Sequence, residues 1–258
     1  MVQRKRPAER RRFPGVALLV LVVLAVCSYG GYHLVEYLIT ESEIFRMQFV
    51  QVENNQYLEQ NEIIRLAGVQ PGTRLFQIPK DSVEQNILRN PYLDGVSVSR
   101  SLPSTLILSV QEKQPAAWLV DRHFYMVDAS GAVLLKKPAM SLQNVPLITG
   151  LSVKQIEKDS APLQQALLLI RQIQSVDPAL FQFISEIHIP EKTGRSVQTP
   201  ELLLVKGGAR ITMKNGHWHR QAFLLSSLIA RTPLLEQLDQ IKKIDLQYAD
   251  RVVITRKN

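Results

Sequence analysis

Cysteine is almost absent from the 258 residues: Cys27 is the only one, and it lies inside a long apolar run. The rest of the chain therefore has no disulfide, no cysteine nucleophile and no Cys-ligated metal. Catalytic signatures are missing as well. The sequence holds no G-x-S-x-G, S-x-x-K, H-E-x-x-H or phosphate loop, so no nucleophile, zinc or nucleotide chemistry has a candidate constellation. Acidic residues are scarce only at the start. Arg4, Lys5, Arg6, Arg10, Arg11 and Arg12 face Glu9 alone, whereas the residues after position 15 hold 25 basic against 22 acidic side chains. The net charge of +8 thus belongs mostly to a short tail, and nucleic acid is not an expected partner.

Charge is also absent from Phe13 to Tyr32, where Val16–Val26 is nearly all Val, Leu and Ala. Twenty helical residues span about 30 Å, the thickness of a bilayer's hydrocarbon. A basic run just before such a segment holds the N-terminus in the cytoplasm. A cleaved signal peptide fits less well, because the apolar run is longer than a signal core and no A-x-A site follows. Leu24-Ala25-Val26-Cys27 resembles a lipoprotein box, but Val26 stands where a small residue belongs. The expected layout is a basic cytoplasmic tail over 1–14, a single transmembrane helix over 15–37, and the folded bulk outside.

From Met47 the pattern is that of a globular α+β protein, with 45% apolar and 21% charged residues in the whole chain. Met47–Glu53 reads as a strand ended by the turn pair Asn54-Asn55. Glu59–Ala67 reads as a helix with Ile63, Leu66 and Ala67 on one face, stopped at Gly68. Asp81-Ser82-Val83-Glu84 reads as a capping box opening a helix with Val83, Ile87 and Leu88 inward, ending before Pro91. Alternation over Gly95–Arg100 and Leu106–Val110 predicts two strands, joined through Pro103, with Glu112 near Arg100 on the adjacent one. Three strands covered on one face by two helices bury these faces most simply.

Several stretches carry a family resemblance: Phe49–Asn55, Gly68-Val69, Gly72-Thr73-Arg74-Leu75-Phe76, Val96–Leu106, and Glu112 with Pro115-Ala116-Ala117-Trp118. In this order they resemble the POTRA domain of the FtsQ/DivIB family of bacterial cell-division proteins. Asn54-Asn55 stands where the family often has Gly-Asn; both suit positive φ. Further on, Val127-Asp128-Ala129-Ser130-Gly131 resembles a hairpin of the family's second, strand-rich domain. Ile244-Asp245-Leu246-Gln247-Tyr248 is similar to its penultimate strand, with Gln247 in place of an Arg. The resemblance implies a POTRA domain (β-α-α-β-β) over 47–115 and an FtsQ-type β domain with two or three helices over 116–258. Within the latter, Ala161–Val176 and His217–Arg231 read as amphipathic helices and Leu234–Gln240 as a shorter one. Strands are expected over Ile184–Ile189, Glu201–Lys206, Ala209–Lys214, Ile241–Gln247 and Arg251–Thr255.

His217-Trp218-His219 is the most metal-like cluster, but the two His point to different sides of a helix and no third ligand has suitable spacing. Asp121 and Asp128 could imitate a glycosidase pair, although hairpin acids are usually solvated. No catalytic, cofactor-binding or metal site is therefore expected, nor a small-molecule substrate. Binding through a strand edge remains. The resemblance implies that late strands dock small bitopic division proteins of the FtsB and FtsL type, here through Tyr248, Arg251, Val252, Val253 and Ile254. The expected function is a non-enzymatic scaffold at the division septum, in the inner membrane with its bulk periplasmic. The alternative is a POTRA-bearing component of envelope protein export or assembly.

Overall fold

An uncharged run of Val, Leu and Ala satisfies its own backbone best as a helix, and α1 runs over Pro14–Glu41. The computed structural model describes residues 14–41, 43–142, 145–190, 199–205, 207–214, 216–231, 237–248 and 251–257. Among them α1 is the one helix long and apolar enough to cross a membrane, over Leu18–Tyr37, and none of that window is buried in the protein. The basic tail lies outside the described residues.

The remainder divides into two compact units. One holds the described residues up to Glu53 with Gln60–Arg89 and Val96–Val110; the other holds Asn54–Glu59, Asn90–Gly95 and the described residues from Gln111 onward. In the first, β1 (Phe49–Glu53), α2 (Gln60–Ala67), α3 (Lys80–Leu88), β2 (Leu93–Ser101) and β3 (Thr105–Glu112) follow in the expected order. The sheet order is β1-β3-β2. β1 runs parallel to β3, with Phe49 opposite Thr105 and Val52 opposite Leu108. Alternation places Leu106, Leu108 and Val110 inward, where Ile63 and Ala67 of α2 and Val83 and Ile87 of α3 are also buried. Asn54 takes a positive φ of 65° as it ends β1.

Three local expectations fail here, each for lack of a long-range partner in the sequence pattern. α3 starts at Lys80 without a side-chain cap, and Glu84 instead accepts the Val98 N–H at 2.9 Å. Leu88, expected to face inward, is 43% exposed at the last residue of α3. Arg100 spends its guanidinium on the carbonyls of Leu75 and Ile78, both at 2.8 Å. The Glu112 carboxylate is taken by the backbone N–H groups of Tyr57 and Leu58, at 3.0 and 2.9 Å.

The second unit is built on one mixed sheet. Its elements are β4 (Ala117–Val120), β5 (Phe124–Val127), β6 (Val133–Leu135), β7 (Leu147–Thr149), α4 (Val153–Lys158), α5 (Ala161–Val176), α6 (Pro178–Gln182), β8 (Ile184–His188), β9 (Glu201–Leu204), β10 (Arg210–Thr212), α7 (Trp218–Arg231), β11 (Ile241–Asp245) and β12 (Val253–Arg256). The strand order is β12-β11-β10-β9-β8-β7-β4-β5-β6. β7 is parallel to both β4 and β8. Leu163, Ala166, Leu167, Ile170 and Ile173 of α5 share one core with Trp218, Ala222 and Leu225 of α7 and with strand residues such as Leu119, Ile148, Ile187 and Ile244. Two short helices add to the long ones. α4 opens on a Ser152–Gln155 capping box, and Asp177 caps α6 through the N–H groups of Ala179 and Leu180. Of the helix expected over Leu234–Gln240, Leu234, Leu235 and Glu236 lie outside the described residues, and Leu238–Gln240 forms a 3-10 turn.

Gly150 ends β7 at φ 79°, and a Cβ there would meet the Ile189 carbonyl oxygen at 2.0 Å. Backbone cannot swing aside as a side chain can, and Ile189 N–H is itself bonded to the Thr149 carbonyl. Gly150→Ala is expected to cost at least about 2 kcal/mol, measured as a fall in the urea midpoint at unchanged slope.

Asp128 closes the β5–β6 turn and is buried, contrary to the expectation of a solvated hairpin acid. Its Oδ1 accepts from Ser130 N–H, Ser130 Oγ and Ala132 N–H, and its Oδ2 from Lys113 Nζ at 2.7 Å. Burial pushes its carboxyl up, but these donors outweigh burial and hold it at about 2, below its ordinary 3.8. The folded state thus favours the charged form, so this stabilisation is whole above pH 4, roughly, and disappears as pH falls toward 2. Lys113→Met is expected to move that loss to higher pH, seen in unfolding midpoints followed across this range.

Candidate functional site

β12 is the terminal strand of the large sheet, with β11 on one side. It runs antiparallel to β11, pairing Ile254 with Ile244 and Val253 with Asp245. All four of its residues are exposed. Lys257 N–H donates inward to the Gln240 carbonyl at 2.7 Å. Alternation then turns the Val253 and Thr255 N–H groups toward β11 and those of Ile254 and Arg256 outward. Among the described residues no strand pairs with the outer side of β12, and such an edge is where a partner strand can add to a sheet.

The five residues singled out from the sequence fall into two groups. Val253 and Ile254 lie on β12 and are 40% and 39% exposed, which is large for apolar side chains in a sheet. Tyr248 and Arg251, in the connection before β12, are exposed as well. Val252 differs: it is half-buried and packs on the core, so it anchors the start of β12 instead of facing a partner. Val253–Arg256 replaces the expected Arg251–Thr255 as the strand, because Val252 is drawn inward just before it.

β12 is held from several directions. Lys257 Nζ reaches the Gly207 carbonyl at 2.9 Å. On β11, burial pushes the Asp245 carboxyl up, yet hydrogen bonds from Lys243 and the Gln247 N–H help to hold it below its ordinary value. Gln221 of α7 is 5% exposed; its amide accepts the Lys214 N–H at 3.0 Å and donates to the Leu246 carbonyl at 2.7 Å. This ties the start of α7 to the end of β11. Beside Tyr248 it leaves a shallow pocket of about 110 Å³, lined by Lys214, His217, Arg220, Leu224 and Gln247 among others. Sequence spacing missed this pocket, since its residues come from three separate segments; the one local hint is Gln221, a polar residue on the apolar side of the helix. His217 and His219 are exposed at the start of α7, on either side of the buried Trp218.

Comparison with known proteins agrees with this architecture. The family model described as "POTRA domain, FtsQ-type" matches residues 45–113. The cell division protein FtsQ of Geotalea daltonii is 29% identical over 246 residues, covering 94% of this chain and 85% of that protein. Residues 45–113 form a POTRA domain of the FtsQ type, and nearly the whole chain is similar to FtsQ proteins. The FtsQ of a Geobacter species is 28% identical over 95% of the chain, and the DivIB of Clostridium acetobutylicum is 27% identical over 51% of it. These relatives are all named as cell division proteins, which supports a role in cell division. The chain's POTRA domain follows the membrane-anchoring helix α1, and its strand-rich domain ends on the exposed β12 edge.

Proposed function

We propose that the chain is a non-enzymatic, single-pass scaffold of bacterial cell division that recruits other membrane proteins of the septum through β12. The observation that carries this reading is the open edge, with outward N–H groups at Ile254 and Arg256 and exposed Val253 and Ile254. The partners are small bitopic division proteins of the FtsB and FtsL type, each adding a short strand to β12. A basic tail over 1–14 keeps the N-terminus cytoplasmic, and α1 holds the POTRA domain (47–115) and the FtsQ-type domain (116–258) outside the inner membrane. Confinement to the same membrane raises the effective concentration of such partners, so a short strand suffices for docking.

The test is capture of the FtsB-type and FtsL-type proteins by the tagged full chain from detergent-solubilised membranes of its own cells. Their recovery in defined ratio, together with arrested division on depletion, is the expected result. If depletion leaves division intact, the scaffold reading is wrong.

A further inference from the structure

Among the described residues that follow α1 in the first unit, the three most exposed large apolar side chains are Ile44, Phe49 and Leu102, at 65%, 63% and 60% exposure. Scattered exposed residues are ordinary, but these share one end of the unit. β1 begins at Phe49, just after the anchor, and β3 runs parallel to it, so the β2–β3 turn must return to the end where the chain enters. The N–H groups of Gln48 and Phe49 both donate to the Ser104 carbonyl, at 2.8 and 3.3 Å, which brings the Leu102 turn beside the start of β1.

The surroundings have the composition of a membrane interface. Phe45 meets Phe76 edge to face at 5.4 Å, and Arg100 lies over the Phe76 ring at 5.8 Å. The backbones of Arg46 and Arg74 pair antiparallel at a single position on the same side, while Glu43 is ion-paired to Arg46. Aromatics, arginines and open aliphatic side chains together suit the boundary between anionic headgroups and acyl chains. Distance permits the contact. α1 extends four residues beyond Tyr37, roughly 6 Å at helical rise, and three more residues to Ile44 add at most roughly 10 Å. α1 also packs on the 3-10 turn Leu75–Gln77, so this end of the unit stays by the anchor.

We propose that this end of the POTRA domain, with Ile44, Phe49 and the Leu102 turn, rests in the bilayer interface, making the membrane surface a second ligand of the domain. The inference rests on α1 spanning the bilayer. A seated domain has a restricted orientation relative to the membrane plane.

The experiment uses the full chain with Cys27→Ser, reconstituted in vesicles of phosphatidylethanolamine with a minority of phosphatidylglycerol. A polarity-sensitive fluorophore is attached in turn at Phe49→Cys, Leu102→Cys, Gln111→Cys at the other end of β3, and Leu24→Cys in the span, and quenched by spin-labelled lipid. Quenching at positions 49 and 102 is expected to exceed that at 111 severalfold, with 24 quenched most. Quenching at 49 and 102 no greater than at 111, while 24 is strongly quenched, overturns the proposal and leaves the anchor in place. A probe at 24 that the lipid quencher does not reach overturns the anchor, and the seating with it.

Discussion

Replacing Ile254 with proline is expected to abolish capture of the small bitopic partners while leaving the fold nearly as stable as before. Proline removes one backbone donor and fixes φ near −65°, which an edge strand tolerates where the lost N–H faced outward. The Ile254 N–H faces outward because Lys257 N–H, three residues on, is bonded inward to Gln240. Thr255→Pro, one residue away, removes a donor that points toward β11 instead. It is expected to release β12 and lower stability by about 3 kcal/mol, so its loss of binding would come with a lower unfolding midpoint. The pair separates a docking role from a structural one: Ile254→Pro should cut partner recovery at least tenfold with little change in the midpoint. Equal recovery by Ile254→Pro and the parent chain would mean that strand addition at β12 is not how partners are held.

Glu112→Ala is expected to be the most damaging single change away from the edge. The Glu112 side chain is 5% exposed and accepts from two buried backbone N–H groups, those of Tyr57 and Leu58. Truncation leaves both donors without a partner, at about 1–3 kcal/mol each. The loop over Asn54–Glu59 has further ties to the end of β3, since the Tyr57 hydroxyl donates to the Lys113 carbonyl, and burial followed by the Glu112 charge pushes the Tyr57 phenol up. A loss of about 2–5 kcal/mol in urea unfolding is expected. Glu112→Gln, which keeps an acceptor oxygen, should recover about half of it. A Glu112→Ala chain as stable as the parent would show that these amides find other partners.

Elements whose faces follow a local period were legible. α5 spans the residues that its apolar spacing assigned, and the alternation of Leu106, Leu108 and Val110 put all three in the core. What eluded sequence reading depends on partners far along the chain. Glu84 has the spacing of a capping residue, yet Val98 on β2 claims it. Asp128 has the composition of a solvated turn, yet Lys113 and three turn donors bury it. β7 is three residues long and gains its identity only between two parallel neighbours. At the candidate site, the terminal strand and its apolar residues were visible from composition. Its place at the sheet edge came only through the family resemblance, because strand order is set by non-local pairing, and the inward turn of Val252 was not legible.

Docking of partners on β12 can be read out inside the cell by photo-crosslinking. A photoreactive residue is placed in turn at Tyr248, Val253 and Ile254, with Ser130 in the β5–β6 turn as control. Crosslinks are expected from 253 and 254, and from 248 ahead of the strand, to small single-pass division proteins, with none from 130. Crosslinks from 130 but not from β12, in cells that still divide, would contradict docking on β12.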